Sequence, residues 1–271
     1  MSQKEIIEHY SLRFKEAGRL TEGVNRLEKL RTVDLLKRFL PKPPAVILDV
    51  GGASGAYAFP LSEQGYKVHL SDITPLHIEE AKKIDKEHSR HRLASIEVGD
   101  AREIKQPNNS ADAVLFFGPL YHLTDRKDRI EALKEAHRVL KENGRLFVAA
   151  IPKFASFLDG VKGDFIRDPD FVKIVEADIR TGQHRNPKHN PNYFTTAFFH
   201  HPNQLRMELE TANFRNVSLF SVEGPLWLTS NLEELLKDGK QEKTLLRFLR
   251  EIEEDQTIIG ASEHILAIGQ K

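Results

Sequence analysis

The feature of this chain that most limits its fold is a rhythm. Between residues 45 and 151 short apolar runs alternate with stretches of helical spacing: strands at 45–50, 67–71, 95–98, 112–117 and 145–151, helices from the mid-50s to 64, at 75–88 and at 125–141. Short connections between alternating strands and helices impose right-handed crossovers, so the expected fold is α/β: a Rossmann-like, mostly parallel sheet with helices on both faces. Local signals agree. Thr74 and Pro75 suit a helix start, Gly144 in "KENG" suits a left-handed helix end, and Pro60 predicts a kink or a delayed start in the first helix.

The flanks complete the division of the chain. Val24, Leu27, Leu30, Val33, Leu36 and Leu40 recur at three- and four-residue spacing and predict an amphipathic helix over 24–40, stopped by Pro41, Pro43 and Pro44. Residues 1–44 are thus expected to form a helical cap. After Pro152 the rhythm breaks, and "RTGQHRNPKHNPNYF" is too rich in Pro, Asn and His to continue it, so 152–199 reads as an inserted lid or substrate segment. The pattern then resumes with a helix at 202–213, a strand at 216–222, a helix at 231–254 entered by a capping box from Ser230 to Glu233, and a strand at 263–269. The ligand-binding domain is accordingly 45–151 together with 200–271.

Composition narrows the partners. The 271 residues carry 40 basic and 40 acidic side chains, so no strong overall field draws a nucleic acid, and none is expected as partner. With no cysteine there is no disulfide or thiolate chemistry. The first twenty residues hold charges every few positions and no long apolar stretch, which predicts a cytoplasmic protein without a membrane anchor.

The stretch "VILDVGGASG" runs from a buried strand directly into small residues. Ligands of open parallel sheets sit at the carboxyl ends of the strands, and Gly51, Gly52 and Gly55 there permit positive φ and close approach of a ligand to the backbone. Asp72 ends the second strand, where a carboxylate accepts ribose hydroxyls, and Asp100 ends the third, beside an adenine edge. Three neighbouring strand tips thus carry polar groups suited to an adenosine. The turn lacks G-x-G-x-x-G and a Walker lysine, while Asp49 ahead of it repels a diphosphate and suits an ammonium group. An amino-acid tail fits better than phosphates. A nicotinamide-dependent oxidoreductase on a related fold and a non-catalytic cofactor-binding regulatory or scaffold protein are the alternatives.

These residues resemble the class I S-adenosylmethionine-dependent methyltransferases, in the small-molecule set called type 11. "LDVGGASG" is similar to the family's first motif, "SDITP" to its ribose-binding acidic motif, "VGDARE" to its adenine-side motif, and "ADAVLFFGPLYHL" and "EAHRVLKENGRLFVAA" to its fourth- and fifth-strand segments. The resemblance implies a seven-stranded sheet with an antiparallel last strand, S-adenosylmethionine as cofactor, S-adenosylhomocysteine as product and a small-molecule methyl acceptor. It also implies that Asp49, Gly51 and Gly52 line the methionine moiety, Asp72 the ribose, Asp100 and Ala101 the adenine, and Phe117 and Gly118 the edge near the sulfonium, with Ala53, Gly55 and Ile73 also among the cofactor-binding residues. Ala53 stands where the family often has glycine, a change that a turn with negative φ accommodates.

Methyl transfer asks the enzyme chiefly to align nucleophile, methyl and sulfur in a dry pocket, with a base where the nucleophile must lose a proton. Tyr121 and His122, after the fourth strand, are the candidates for substrate contact and base. The N-terminal segment, with Tyr10, Phe14, Arg26 and Arg31, suits either a cover over the cofactor that shapes the substrate pocket or a simple shield for the sheet edge. Phe154, Phe157, Phe165, Phe171, Tyr193, Phe194, Phe198 and Phe199 make the insertion aromatic, as suits either a lid over an apolar or planar acceptor or a satellite core. Its histidines, 184, 189, 200 and 201, have no carboxylate at ligand spacing, so no metal is expected, and Arg180, Arg185 and Lys188 form a basic patch.

Overall fold

The structure, a computed structural model, describes residues 7, 8, 10, 20, 23–87 and 91–271. Phe14 lies outside them. Seven strands form the main sheet: β1 (Val46–Val50), β2 (Lys67–Asp72), β3 (Ser95–Val98), β4 (Ala111–Phe116), β5 (Leu140–Ala150), β8 (Arg215–Ser221) and β9 (Ile265–Gln270), while β6 (Gln183–His184) and β7 (Ala197–Phe198) make a separate short ladder. The order across the sheet is β3-β2-β1-β4-β5-β9-β8. Pairing is parallel from β3 through β5, and β9 runs antiparallel to both β5 and β8, as expected. Chain order reverses between β1 and β4, which leaves a crevice at their carboxyl ends.

The central strands are apolar on both faces because helices cover both. Leu48, Val50, Val114, Phe116, Leu146 and Val148 pack on one side with Ala132, Leu133 and Ala136 of helix α5 (Arg126–Val139) and Leu205 and Leu209 of α8 (Pro202–Thr211). Ile47, Val68, Leu70, Leu115 and Phe147 pack on the other with Leu35 and Leu36 of α1 (Gly23–Phe39), Phe59 and Leu61 of α2 (Ala58–Glu63) and Ala81 of α3 (Pro75–Glu87). The segment 152–199 holds α6 (Ala155–Lys162), α7 (Pro169–Thr181), β6 and β7. Gly182 ends α7 at φ +74°, where an added Cβ would stand 2.5 Å from the Phe199 carbonyl, so glycine is required where β6 leaves to meet β7.

Three local expectations need correction. The helix expected over 231–254 is two, α9 (Leu232–Lys237) and α10 (Gly239–Ile252), because Asp238 stops the first and caps the second by accepting the Lys240 and Gln241 N–H groups. Asn231, not Ser230, precedes α9, and it makes no capping bond. The left-handed residue is Asn143 at φ +63°, within the early part of β5, while Gly144 serves close approach, with an added Cβ 2.8 Å from the Lys141 carbonyl. Pro60 behaves as expected: α2 starts late, at Ala58, and the proline sits in its first turn, where its missing N–H has no intrahelical partner.

A buried ion pair ties α1 to α10. The Arg31 guanidinium is fully buried, donates to the Val222 carbonyl at 3.1 Å and pairs with Glu253, which also receives Arg38 at 2.7 Å. Removing Arg31 leaves the buried Glu253 with Arg38 as its remaining partner, a loss of up to about 3 kcal/mol. Arg31→Ala is expected to lower the urea midpoint correspondingly, and Glu253→Gln to do so less, since a neutral amide still accepts from Arg31. Equal midpoints for Arg31→Ala and wild type would show that α1 is held by apolar packing alone.

Candidate active site

Three strand tips and the start of the helix after β4 meet at the crevice. The glycine turn is fixed from below: the Gly51 and Gly52 N–H groups donate to the Ser71 carbonyl at 2.7 and 3.3 Å. Gly51 has φ +75°, and a Cβ there would lie 2.6 Å from Pro119, while a Cβ on Gly55, at φ +95°, would lie 2.7 Å from Phe59. Ala53 has φ +49° rather than the negative value expected. It bears that conformation because its N–H donates to Asp72 Oδ2 at 2.9 Å, a bond that holds the turn against β2.

Asp49 is fully buried near the end of β1, and neither carboxylate oxygen has a hydrogen-bond partner. It lies flat against Gly52, where a Cβ would fall 2.4 Å from its Cγ, so only glycine admits it. Burial, then the charge of Asp72, push its pKa up from 3.8 to about 7; the Ala58 backbone N–H offsets a smaller part without completing a hydrogen bond. A carboxylate kept here without a partner is suited to an ammonium brought by a ligand.

Asp72 faces the turn. Besides Ala53 it accepts the Thr74 N–H at 2.8 Å through Oδ1, with the His77 ring nitrogen 3.3 Å from the same oxygen. A carboxylate has about four lone-pair sites, two on each oxygen, so Oδ2, which accepts only the Ala53 N–H, retains capacity for a ribose hydroxyl. Ile73 beside it is half-buried. Asp100 is turned instead to Arg102, 2.7 Å away, which also reaches Asp128 at 3.0 Å. Its carboxylate is thereby engaged on the protein, and the buried Ala101 follows it at the crevice wall.

At the far side of the crevice, α4 (Pro119–His122) follows β4. A Cβ on Gly118 would approach the Gly51 carbonyl to 3.3 Å, the Tyr121 hydroxyl donates to the Phe117 carbonyl at 3.0 Å, and Phe117 meets Tyr57 edge to face. His122 is buried, with Nε2 2.8 Å from the Tyr10 hydroxyl. The Tyr10 ring packs edge-on to both His122 and His77, at 5.4 and 5.6 Å, so it spans the space from the Asp72 side to the β4 side. Phe194 of the insertion stacks on His122 at 6.1 Å and meets Tyr121, while its other neighbours are His184 and Phe199.

The remaining aromatic residues divide. Phe165, Phe171 and Tyr193 form a cluster of their own, and Phe154 and Phe157 face outward. The basic patch does not converge: Lys188 pairs with Asp170, Arg180 with Glu176, and Arg185 bonds the His184 carbonyl. The insertion histidines are likewise engaged separately, His184 with Asp178 at 2.7 Å and His200 with Glu208 at 3.2 Å, while His201 caps α8. Among the described residues one group has metal-ligand spacing: Glu28, Glu223 and His264, with ligand atoms within 4.8 Å. Glu223 there already accepts the Ser262 hydroxyl, the His264 N–H and the His264 ring nitrogen. Burial opposes charge on that imidazole, but Glu223 and Glu28 outweigh it and raise its pKa to about 10, the arrangement of an internal ion pair.

Two parts of this site carry no short-range sequence signal. His77 reads as an ordinary residue in the first turn of α3, and the group behind His122, Arg129 with Glu208 and His200, joins residues up to 79 positions apart.

Residues 47–144 match the family described as "Methyltransferase domain". The chain is 26% identical over 211 residues to a ubiquinone/menaquinone biosynthesis C-methyltransferase of Rickettsia bellii, covering 74% of this chain and 79% of that one. The corresponding protein of Zymomonas mobilis is 33% identical over 128 residues, 47% of this chain and 50% of that one. Among solved structures, phosphoethanolamine N-methyltransferase 2 of Haemonchus contortus superposes with TM-score 0.62 at 14% identity, over 100% of this chain and 60% of that one. An S-adenosylmethionine-dependent methyltransferase of Methanosarcina mazei gives 0.58 at 18% identity, over 88% and 96%. The last two likenesses are of fold.

The residues fit an S-adenosyl cofactor on two observations: an unpartnered buried carboxylate, and a turn whose glycines leave space that side chains would close. Asp49 also sets a pH dependence. Its folded pKa is raised, so the cost of ionising it is absent below about pH 4, grows through about pH 7 and reaches about 4 kcal/mol above that. Asp49→Asn is therefore expected to stabilise the free protein at pH 8, while weakening S-adenosylhomocysteine by about tenfold or more. Calorimetric binding enthalpies of wild type at pH 6.5 should vary with the ionisation enthalpy of the buffer as Asp49 loses its proton. Buffer-independent enthalpies would remove Asp49 from the ligand.

Proposed function

We propose that this S-adenosylmethionine-dependent methyltransferase, similar to the class I small-molecule enzymes, takes as acceptor a planar ring bearing a hydroxyl or amine, and that His122 takes the proton this group releases. The observation that carries the reading is the Tyr10–His122 hydrogen bond set among the rings of Tyr121, His77 and Phe194. When bound, the cofactor supplies an electrophilic methyl group on sulfur. The protein's part is alignment and proton removal. Asp49 holds the ammonium of the amino-acid tail, Gly51, Gly52, Ala53 and Gly55 let that tail lie on the backbone, and Asp72 with Ile73 takes the ribose. With the Asp100 carboxylate engaged by Arg102, the adenine edge falls to the Ala101 backbone. Phe117 and Gly118 border the reacting end.

Deprotonation raises the nucleophilicity of a ring oxygen, and of a ring carbon beside a hydroxyl, while an amine attacks through its lone pair and sheds its proton from the methylated ammonium, so one base serves each outcome. The Tyr10 hydroxyl relays the proton from acceptor to imidazole. Phe194, stacked on His122 and more than a third exposed, is the part of the 152–199 lid that moves aside to admit the ring and then covers it. The similar proteins include a ubiquinone/menaquinone biosynthesis C-methyltransferase and a phosphoethanolamine N-methyltransferase. The apolar rings here favour an aromatic acceptor over a phosphorylated amine.

Methyl-labelled cofactor incubated with catechols, hydroquinols, aromatic amines and phosphoethanolamine tests the acceptor, and label entering only phosphoethanolamine would overturn the ring. On an accepted ring, His122→Ala should slow turnover by about 10²-fold or more with S-adenosylhomocysteine affinity unchanged. Tyr10→Phe should slow it less. Turnover indifferent to His122→Ala would reduce that residue to packing.

A further inference from the structure

The turn that follows His122 is gripped from behind by a charged group fully removed from water. Arg129 of α5 donates through Nη1 to the carbonyls of Leu123 and Thr124, at 2.9 and 3.0 Å, and these are the two residues after His122. Its other nitrogens, Nε and Nη2, each bond one oxygen of Glu208 on α8 at 2.8 Å, a two-point contact that fixes the guanidinium plane. Glu208 in turn lies 3.2 Å from the His200 ring. All three side chains are at most 1% exposed.

The root of the 152–199 segment supplies the remaining faces of this group. Phe198 lies under the guanidinium, its ring centroid 3.7 Å from the carbon, and its own edge meets His200. The Gln183 amide donates to the same Thr124 carbonyl at 2.9 Å. The His200 N–H bonds the Ile151 carbonyl and the Lys153 N–H the His200 carbonyl, so β7 and the residues just after it are fixed to the end of β5. Any displacement of β6 or β7 therefore reaches the Leu123 and Thr124 carbonyls through two contacts. Burial opposes the Glu208 charge, but its bonds from Arg129 and His200 outweigh this and hold the carboxyl down at about 2; the same burial keeps His200 below its ordinary range. Arg129 and Glu208 thus stay ionised across the working range of pH, as a fixed clamp requires.

We propose that Arg129, held by Glu208 and stacked on Phe198, is a positioning residue that sets the orientation of His122 and transmits to it the placement of the 152–199 segment. The inference rests on the reading of His122 as the base, and its test does not use turnover. A simple ion-pair staple between α5 and α8 would need neither the bonds to the Leu123 and Thr124 carbonyls nor the ring beneath the guanidinium.

The test follows the His122 imidazole by NMR in histidine-labelled protein saturated with S-adenosylhomocysteine, its signal assigned by its loss in His122→Asn. Arg129→Lys keeps the charge but not the four-bond geometry. It should keep the wild-type circular dichroism spectrum and bind S-adenosylhomocysteine within about twofold, yet move the His122 titration midpoint by about half a pH unit or more. Phe198→Leu, which leaves every hydrogen bond of the clamp in place, should shift the same signal in the same sense, whereas Phe157→Leu on the outer face of the segment should leave it alone. Should Arg129→Lys fail to fold, Phe198→Leu decides. An unmoved His122 signal in Phe198→Leu, or in a folded Arg129→Lys, overturns the proposal. That result would leave the base assignment standing, since only His122→Ala turnover bears on it.

Discussion

The site is organised by an electrostatic imbalance at the end of its central strand. Asp49 is buried with no hydrogen-bond partner, and Asp72 nearby adds a second negative charge that raises the cost of ionising it. Proteins neutralise or pair such groups. The structure around Asp49 leaves it unpaired: Gly52 presents no side chain to screen it, and Asp72, which could have been turned elsewhere, is fixed close by through the Ala53 and Thr74 amides. A ligand that brings a positive nitrogen to this corner removes a penalty already present in the free protein. Affinity then comes as much from relief of that penalty as from new contacts.

Asp72 shows how one residue serves fold and site together. Its bond to Ala53 explains why a non-glycine residue sits at φ +49° in a turn otherwise built from glycines, since the acceptor compensates the left-handed conformation. The same carboxylate orients His77, on which Tyr10 rests. Strand tip, glycine turn and N-terminal tyrosine are in this way mechanically connected before any ligand arrives.

What was legible in the sequence divides along the range of the interactions. The mostly parallel sheet followed from the alternation of strands and helices, because short crossovers are right-handed, and the antiparallel final strand came with the family resemblance. The glycine turn and the strand-tip aspartates were visible because backbone geometry demands particular residues at particular places. The sign of φ at Ala53 was not, since it depends on an acceptor nineteen residues away. The break at Asp238 was missed because an apolar stripe continues across it, and only the side-chain bonds to Lys240 and Gln241 show that a new helix begins. The burial of Arg129 and Glu208 has no local sequence signal, since it follows from how α5 packs on α8.

The segment between Pro152 and His200 presents a contrast in packing that bears on how it works. Its root is dry and charged, with Arg129, Glu208 and His200 sealed beneath Phe198, and a buried pair bonded at both oxygens resists rearrangement because any partial opening strands a charge. Its tip toward His122 is different: the Phe194 ring meets His122, Tyr121, His184 and Phe199 at 6.1 to 6.3 Å, contacts with little angular cost to change, while the Phe194 carbonyl lies 3.3 Å from the His184 ring nitrogen. One segment thus joins a tightly bonded root to a ring whose side-chain packing is loose at the end toward His122.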